Sequence, residues 1–207
     1  MKYKIILLTF CLFVLSGCVM NTNSRIVTSH HVDRLKELIS DNNHYDVVFM
    51  GDSLTEGGNF EKVLKGSKNA GIGGDYIYSI EDVVPIVAGY NPRKIYLMIG
   101  TNSLRDYSCE ECERQYKSLI KLITTTLPNT EIVVESVLPV SCTNQKIVRF
   151  NKFVKSICAD YGLRYIDLYS KYSVDGLLLP TVTVDGVHLS PSGYNKWYDF
   201  IKNDNKE

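Results

Sequence analysis

Ser53 carries the chemistry most readily read from this chain. It stands in Gly51-Asp52-Ser53-Leu54, straight after the apolar run Val47-Val48-Phe49-Met50. A short run of β-branched and large apolar residues, with Asn42-Asn43 before it and glycine after it, predicts a buried strand. The serine then falls where a strand ends and a turn or helix begins. In an open parallel sheet that edge is where ligands bind. A serine there is a candidate nucleophile if the chain also supplies a base and donors for a developing oxyanion.

Asp185-Gly186-Val187-His188 offers the base. An Asp and a His three residues apart on a tight turn can face each other. The carboxylate then accepts the Nδ1 proton and leaves Nε2 free to take a proton from a serine. Histidine is scarce here: His30, His31 and His44 precede or adjoin the first strand, and His188 alone lies in the latter part of the chain. Two further segments suit an acyl-transfer site. Asn69-Ala70-Gly71-Ile72-Gly73-Gly74-Asp75 is a glycine cluster whose amides can approach a ligand closely. Tyr76 stands where a dinucleotide loop needs its third glycine, so that reading is excluded. Gly100-Thr101-Asn102 follows the apolar run Ile95–Ile99 and brings an amide side chain to the same sheet edge as Ser53.

The elements that must hold these residues alternate between strand and helix. Ile95-Tyr96-Leu97-Met98-Ile99 and Ile132-Val133-Val134 have both faces apolar, as buried parallel strands do. Val137-Leu138-Pro139-Val140 leads out of the second. Tyr116, Leu119, Ile120, Ile123 and Leu127 recur at helical spacing up to Pro128. Ile147, Phe150, Val154, Ile157, Cys158 and Tyr161 form a second stripe, ended by Gly162. Tyr165-Ile166-Asp167-Leu168 predicts a later strand. Ser190 can cap a last helix with Pro191 in its first turn, and Tyr194, Trp197, Tyr198 and Ile201 turn inward. The class is α/β with a parallel sheet covered on both faces.

The start of the chain has the layout of a secretory signal. A basic Met1-Lys2-Tyr3-Lys4 precedes an apolar stretch from Ile5 to Leu15, too short to span a membrane, and then Leu15-Ser16-Gly17-Cys18. This end resembles the lipobox of bacterial lipoproteins. The resemblance implies a signal peptide over residues 1–17, cleavage before Cys18, and lipid on that cysteine. Residues 18–28 would be a tether and residues 29–207 one domain. The expected place is the bacterial cell envelope, outside the cytoplasm, held to a membrane through lipidated Cys18. Without Lys2 and Lys4 the chain keeps 21 basic against 23 acidic residues. That balance gives no electrostatic reason to expect nucleic acid as a partner.

The ordered set Gly51-Asp52-Ser53-Leu54, Gly71-Ile72-Gly73-Gly74-Asp75, Gly100-Thr101-Asn102 and Asp185-Gly186-Val187-His188 resembles the GDSL/SGNH hydrolase superfamily. The glycine block is similar to that of its platelet-activating-factor-acetylhydrolase-like branch. The resemblance runs from about Asp46 to about Ile201. It implies a three-layer, flavodoxin-like α/β/α sandwich around a five-stranded parallel sheet. By the same pattern Ser53 is the nucleophile, His188 the base and then acid, and Asp185 its orienter. The oxyanion hole would comprise the backbone amides of Ser53 and Gly74 and the side-chain amide of Asn102. One departure stands out: the third block often reads Gly-x-Asn-Asp, and here Ser103 replaces the aspartate. That change bears on loop bonding, since Asn102 is the donor. The alternative α/β-hydrolase elbow, G-x-S-x-G, is disfavoured because Thr55 occupies the place of its second glycine.

The expected activity is hydrolysis of short-chain, O-acetyl-type esters through an acyl-enzyme, with no metal or organic cofactor. A small ester, an acylated glycan or a lipid would be the substrate. A lysophospholipase or thioesterase is the alternative, and a surface-binding lipoprotein without turnover is a reading of another class. Tyr76, Tyr78 and Tyr107 either line the pocket or simply pack. Among the cysteines, an exported chain could bridge Cys142 to Cys109 or Cys112, or close the Cys109-Glu110-Glu111-Cys112 pair itself. Cys158, on an apolar helix face, reads as a buried free thiol.

Overall fold

A computed structural model of the chain describes residues 25, 27–141 and 145–205. The proposed signal peptide, Cys18 and most of the tether lie outside the described residues, as does Cys142. The five strands β1 (Val47–Gly51), β2 (Lys68–Gly71), β3 (Lys94–Met98), β4 (Glu131–Glu135) and β5 (Arg164–Ile166) form one sheet. Their order is β2-β1-β3-β4-β5, and every pairing is parallel. Among the described residues, eight α-helices accompany them: α1 (Ser29–Ser40), α2 (Ser53–Glu56), α3 (Ile80–Tyr90), α4 (Thr101–Asp106), α5 (Cys109–Thr126), α6 (Gln145–Tyr161), α7 (Tyr169–Tyr172) and α8 (Pro191–Asp204). A short antiparallel hairpin, β6 (Ser173–Val174) with β7 (Leu177–Leu178), lies before α8.

Alternation along the strands sorts the core into two layers. Val48, Met50, Ile95, Leu97, Ile132 and Val134 pack against α1, α3, α5 and α6. Phe49, Tyr96, Met98 and Val133 face the other way, toward Trp197, Tyr198 and Ile201 of α8. There Phe49 stacks between Phe60, at 3.8 Å, and Tyr96, at 4.8 Å. The edge of Trp197 meets Phe60. This is the three-layer parallel sandwich the family pattern implies.

The register decides where the site falls. Gly51 pairs with Gly71 on one side and with Met98 on the other. Three strands therefore end level, and the loops after them open side by side. Neighbouring strands lie under 5 Å apart, so groups on adjacent loops can converge on one substrate atom.

Several details differ from the sequence reading. The first three residues of the glycine cluster, Asn69-Ala70-Gly71, belong to the edge strand β2; the Asn69 amide donates to the carbonyls of Thr55 and Gly58, both at 2.7 Å. Tyr161 is 43 % exposed and leaves the inward stripe at the C-terminal end of α6. The strand predicted over Tyr165–Leu168, β5, stops at Ile166, and Leu168 is buried beyond it. Cys109 and Cys112 are free thiols, so the pair is not bridged to itself; Cys158 is a buried free thiol as read. Tyr76, Tyr78 and Tyr107 pack on one another, the first two stacked at 5.3 Å.

Candidate active site

Buried β1 delivers Ser53 through a turn that tolerates no side chain at Gly51. A Cβ there would sit 2.2 Å from the Met98 carbonyl oxygen and 2.2 Å from Thr55 Oγ1. Asp52 then caps α2, its Oδ1 accepting the Leu54 N–H at 3.0 Å. Asp52 is buried, and burial pushes its carboxyl up to about 7 against the opposing hydrogen bond from Leu54. Ser53 opens the helix, so its backbone N–H lies in the first turn, where no intrahelical acceptor exists.

His188 reaches Ser53 from the far end of the sequence. Its Nε2 lies 3.0 Å from Ser53 Oγ, and its Nδ1 lies 2.7 Å from Asp185 Oδ2. The other carboxylate oxygen of Asp185 accepts the backbone N–H groups of Val187, at 2.9 Å, and of His188, at 2.7 Å. The bond with His188, joined by these two amides, holds the Asp185 carboxyl down to about 2. A carboxylate that stays charged fixes the tautomer that leaves Nε2 facing the serine.

The loop itself is pinned at three points. The Val184 N–H donates to the His188 carbonyl, the Gly186 N–H to Thr183 Oγ1, and the Ser141 N–H to the Gly186 carbonyl. Gly186 has φ +89° and lies hard against Ser141, which leaves no room for a Cβ. Behind the loop, Ser190 caps α8 and buried Trp197 donates to Glu135 Oε1 at 2.7 Å. Tyr194 of α8 donates to the Leu54 carbonyl at 2.9 Å, tying the helix after the His188 loop to the helix that carries Ser53. The side chains of His188 and Asp185 are 46 % and 50 % exposed, so the serine is approached from the surface.

The two remaining blocks meet each other on the loops that flank the turn to Ser53. After β2 the chain turns through Gly73 and Gly74, the latter at φ +82°. After β3, Gly100 takes φ +146° against Val137 and Phe150, and Asn102 enters the first turn of α4. The Asn102 Nδ2 donates to the Asp75 carbonyl at 3.0 Å. An amide nitrogen has two protons, and this bond engages one and aims the other. Ser103, in place of the family's aspartate, is buried and its Oγ accepts the Ile77 N–H at 2.9 Å. Tyr76 donates to Asp106 at 2.7 Å. Ser103 thus stitches the two loops together.

The structure places Ser53, His188 and Asp185 in one chain of contacts and joins Asn102 to the Asp75 carbonyl, next to Gly74; Cys18 lies outside the described residues. It adds others that sequence reasoning missed. His31, buried on α1, binds Asp75, and Glu56 accepts the Gly73 N–H at 2.7 Å. The spacing of His31, Leu35 and Leu38 was the available signal: i, i+4 and i+7 mark one helical face. Among the described residues no three His, Cys, Asp or Glu side chains gather as a metal-binding group.

Comparison with known proteins bears on the fold and the family. Over 134 residues, 60 % of this chain, it is 27 % identical to a multidomain esterase of Ruminococcus flavefaciens, of which it spans only 16 %. A GDSL-like lipase of Bacteroides thetaiotaomicron superposes with a TM-score of 0.73 at 22 % identity, covering 84 % of this chain and 96 % of that one. A carbohydrate esterase of family 3 from Talaromyces cellulolyticus gives 0.63 at 14 % identity, covering 77 % and 95 %. At these identities the two structures speak to the fold alone. The model of the GDSL-like lipase/acylhydrolase family, by contrast, matches residues 49–196, from the strand before Ser53 to the helix after His188. The chain belongs to that family of ester hydrolases.

Proposed function

We propose that the chain is a serine esterase that cleaves short-chain, O-acetyl-type esters on glycans outside the cytoplasm. The observation that carries the reading is the continuous relay from Ser53 Oγ through His188 to Asp185, at 3.0 and 2.7 Å. In the first step Ser53 Oγ attacks the acyl carbonyl carbon while His188 Nε2 takes its proton. The negative oxygen of the tetrahedral intermediate is met by the N–H groups of Ser53 and Gly74 and by Asn102 Nδ2. Collapse breaks the ester C–O bond, and His188 returns the proton to the departing alcohol. Water, deprotonated by His188, then releases the acid and restores Ser53.

Two features support the substrate class. The half-exposed His188 and Asp185 lie at the surface, where an acyl group on a bulky glycan can be presented. Among the described residues, the matched span is occupied by the sheet, its helices and their connections, without a long inserted lid. The esterase names carried by the Ruminococcus and Talaromyces relatives point the same way. The lipobox Leu15-Ser16-Gly17-Cys18 supports anchoring of this activity to a membrane through Cys18.

The experiment is hydrolysis of p-nitrophenyl esters of increasing chain length, and acetate release from acetylated glycans, by the chain and by Ser53→Ala. The expected result is Ser53-dependent turnover that peaks at acetate. Equal rates in both proteins would remove the esterase reading, and a maximum at long chains would move it to a lipase or thioesterase. For the anchor, Cys18→Ser is expected to release activity from the membrane fraction.

A further inference from the structure

The segment between β2 and α3 carries one of the proposed oxyanion donors on a pair of glycines. Gly73 and Gly74 have no side chains to hold the loop, and a Cβ on Gly74 would touch nothing within 4 Å. Glycine pairs are conformationally permissive, so an oxyanion donor on them needs anchors from elsewhere. The anchors come from α1. His31 and Asp75 are each only 3 % exposed. His31 Nδ1 lies 2.7 Å from Asp75 Oδ1, and its Nε2 lies 3.6 Å from Asp82 Oδ2 on α3. Asp75 Oδ2 is buried with no hydrogen-bond partner among the described residues. The Asp75 carboxylate is thus held through one oxygen, by one ring.

We propose that His31 is a positioning residue of the oxyanion hole, clamping Asp75 so that the Gly74 N–H and Asn102 Nδ2 converge on one point. The inference rests on the oxyanion donors proposed above. Asp75 follows Gly74 directly, and its carbonyl accepts the Asn102 amide. One residue therefore couples both donors, and His31 holds that residue. A second contact from the same helix works in parallel: Glu56, which accepts the Gly73 N–H, lies 3.0 Å from His30 Nε2 and 3.1 Å from Arg34 Nε.

The charge state suits a clamp. The groups facing His31 are Asp75 on the loop and Asp82 on α3, with Glu56, His30 and Arg34 around the loop and Arg25 paired to Asp82 and Glu81. Burial draws the imidazolium down, but hydrogen bonds and charge from Asp75 and Asp82 outweigh it and push His31 up to about 9. A protonated ring presents an N–H from both nitrogens, one toward each carboxylate.

The test compares the whole chain with His31→Phe, His31→Gln, Asn102→Ala and the double variant His31→Phe/Asn102→Ala. Steady-state hydrolysis of p-nitrophenyl acetate is measured beside thermal unfolding, with Ser53→Ala as the background rate. Wild type no faster than Ser53→Ala would defeat the esterase reading itself. With Ser53-dependent turnover present, His31→Phe is expected to lower kcat by on the order of 10- to 100-fold with KM nearly unchanged. His31→Gln, which can still donate to Asp75, is expected to keep part of that activity. In the double variant the losses should fall short of multiplying, because both changes act on the same donors. Losses that multiply, or equal kcat in wild type and both His31 variants, would overturn the proposal. If His31→Phe does not fold, His31→Gln decides by its pH profile. Wild-type kcat should fall as pH rises through about 9, and persistence of that limb in His31→Gln would refute the role.

Discussion

Asn102 Nδ2 donates to the backbone carbonyl of Asp75 across two loops that leave different strands. The bond joins the loop after β3 to the loop after β2 and orients the side-chain amide proposed above as an oxyanion donor. Asn102→Ala removes the donor and the bridge together. It is expected to lower kcat on p-nitrophenyl acetate by on the order of 100- to 1,000-fold, with a much smaller change in KM, because the lost bond is strongest in the transition state. Unchanged kcat in a folded variant would show that the oxyanion is held elsewhere.

Asp185→Asn tests the orienting carboxylate. The asparagine oxygen can still accept the Val187 and His188 backbone amides, so the turn should survive. Its amide nitrogen would face Nδ1 and favour the wrong tautomer. Turnover should fall by up to roughly 10,000-fold, by analogy with the same change in a serine protease, while the circular-dichroism spectrum is retained. With its carboxyl held down to about 2, Asp185 stays charged above about pH 4. Removing it should therefore lower activity across that range rather than shift one limb.

Glu135 makes stability depend on pH. It is buried under Trp197, and burial pushes it up to about 8 despite the hydrogen bond it accepts. For a carboxyl raised on folding, the unfolded chain gives up its proton first. Stability is therefore intact below the ordinary value near 4.5 and declines as pH rises toward 8. Asp52, up to about 7, acts in the same direction. His31, a base raised to about 9, contributes stability below 6.5 that is lost as pH rises through 9. Melting temperature should fall from pH 5 to pH 9. Glu135→Gln, which keeps an acceptor for Trp197, should flatten that fall between pH 5 and 8 and gain on the order of a few kcal/mol at pH 8. An unchanged slope would mean that Glu135 is already satisfied as an anion.

Gly71→Ala probes the contact between β2 and the Ser53 helix. The new Cβ would lie 2.4 Å from the Glu56 nitrogen and 2.8 Å from the Thr55 carbonyl carbon. Both are backbone atoms, so β2 and α2 must separate. A loss of about 1–3 kcal/mol in urea unfolding is expected, together with reduced turnover of the folded protein as Ser53 moves from His188. Gly89→Ala is the control: it sits in α3 with nothing within 4 Å of its Cβ and should be neutral or stabilising by up to about 1 kcal/mol. Equal behaviour of the two variants would count against close packing at Gly71.

The sequence by itself determined what short-range pattern can carry. Apolar runs marked β1, β3 and β4, and helical stripes marked α5, α6 and α8, because burial on one face writes a period into neighbouring residues. Asp185 and His188 were legible as a pair because three residues on a turn fix their separation. The ordered blocks brought Ser53, Gly74 and Asn102 into one reading. Tertiary structure decided the rest. Lys68–Gly71 is a strand only because β1 pairs with it and Asn69 binds carbonyls within and just after α2; its own residues have no strand pattern. His31 meets Asp75 across 44 positions of sequence, and no local period records that contact. Strand register brought the three loops level, and hydrogen bonds between segments remote in sequence then set the geometry around Ser53.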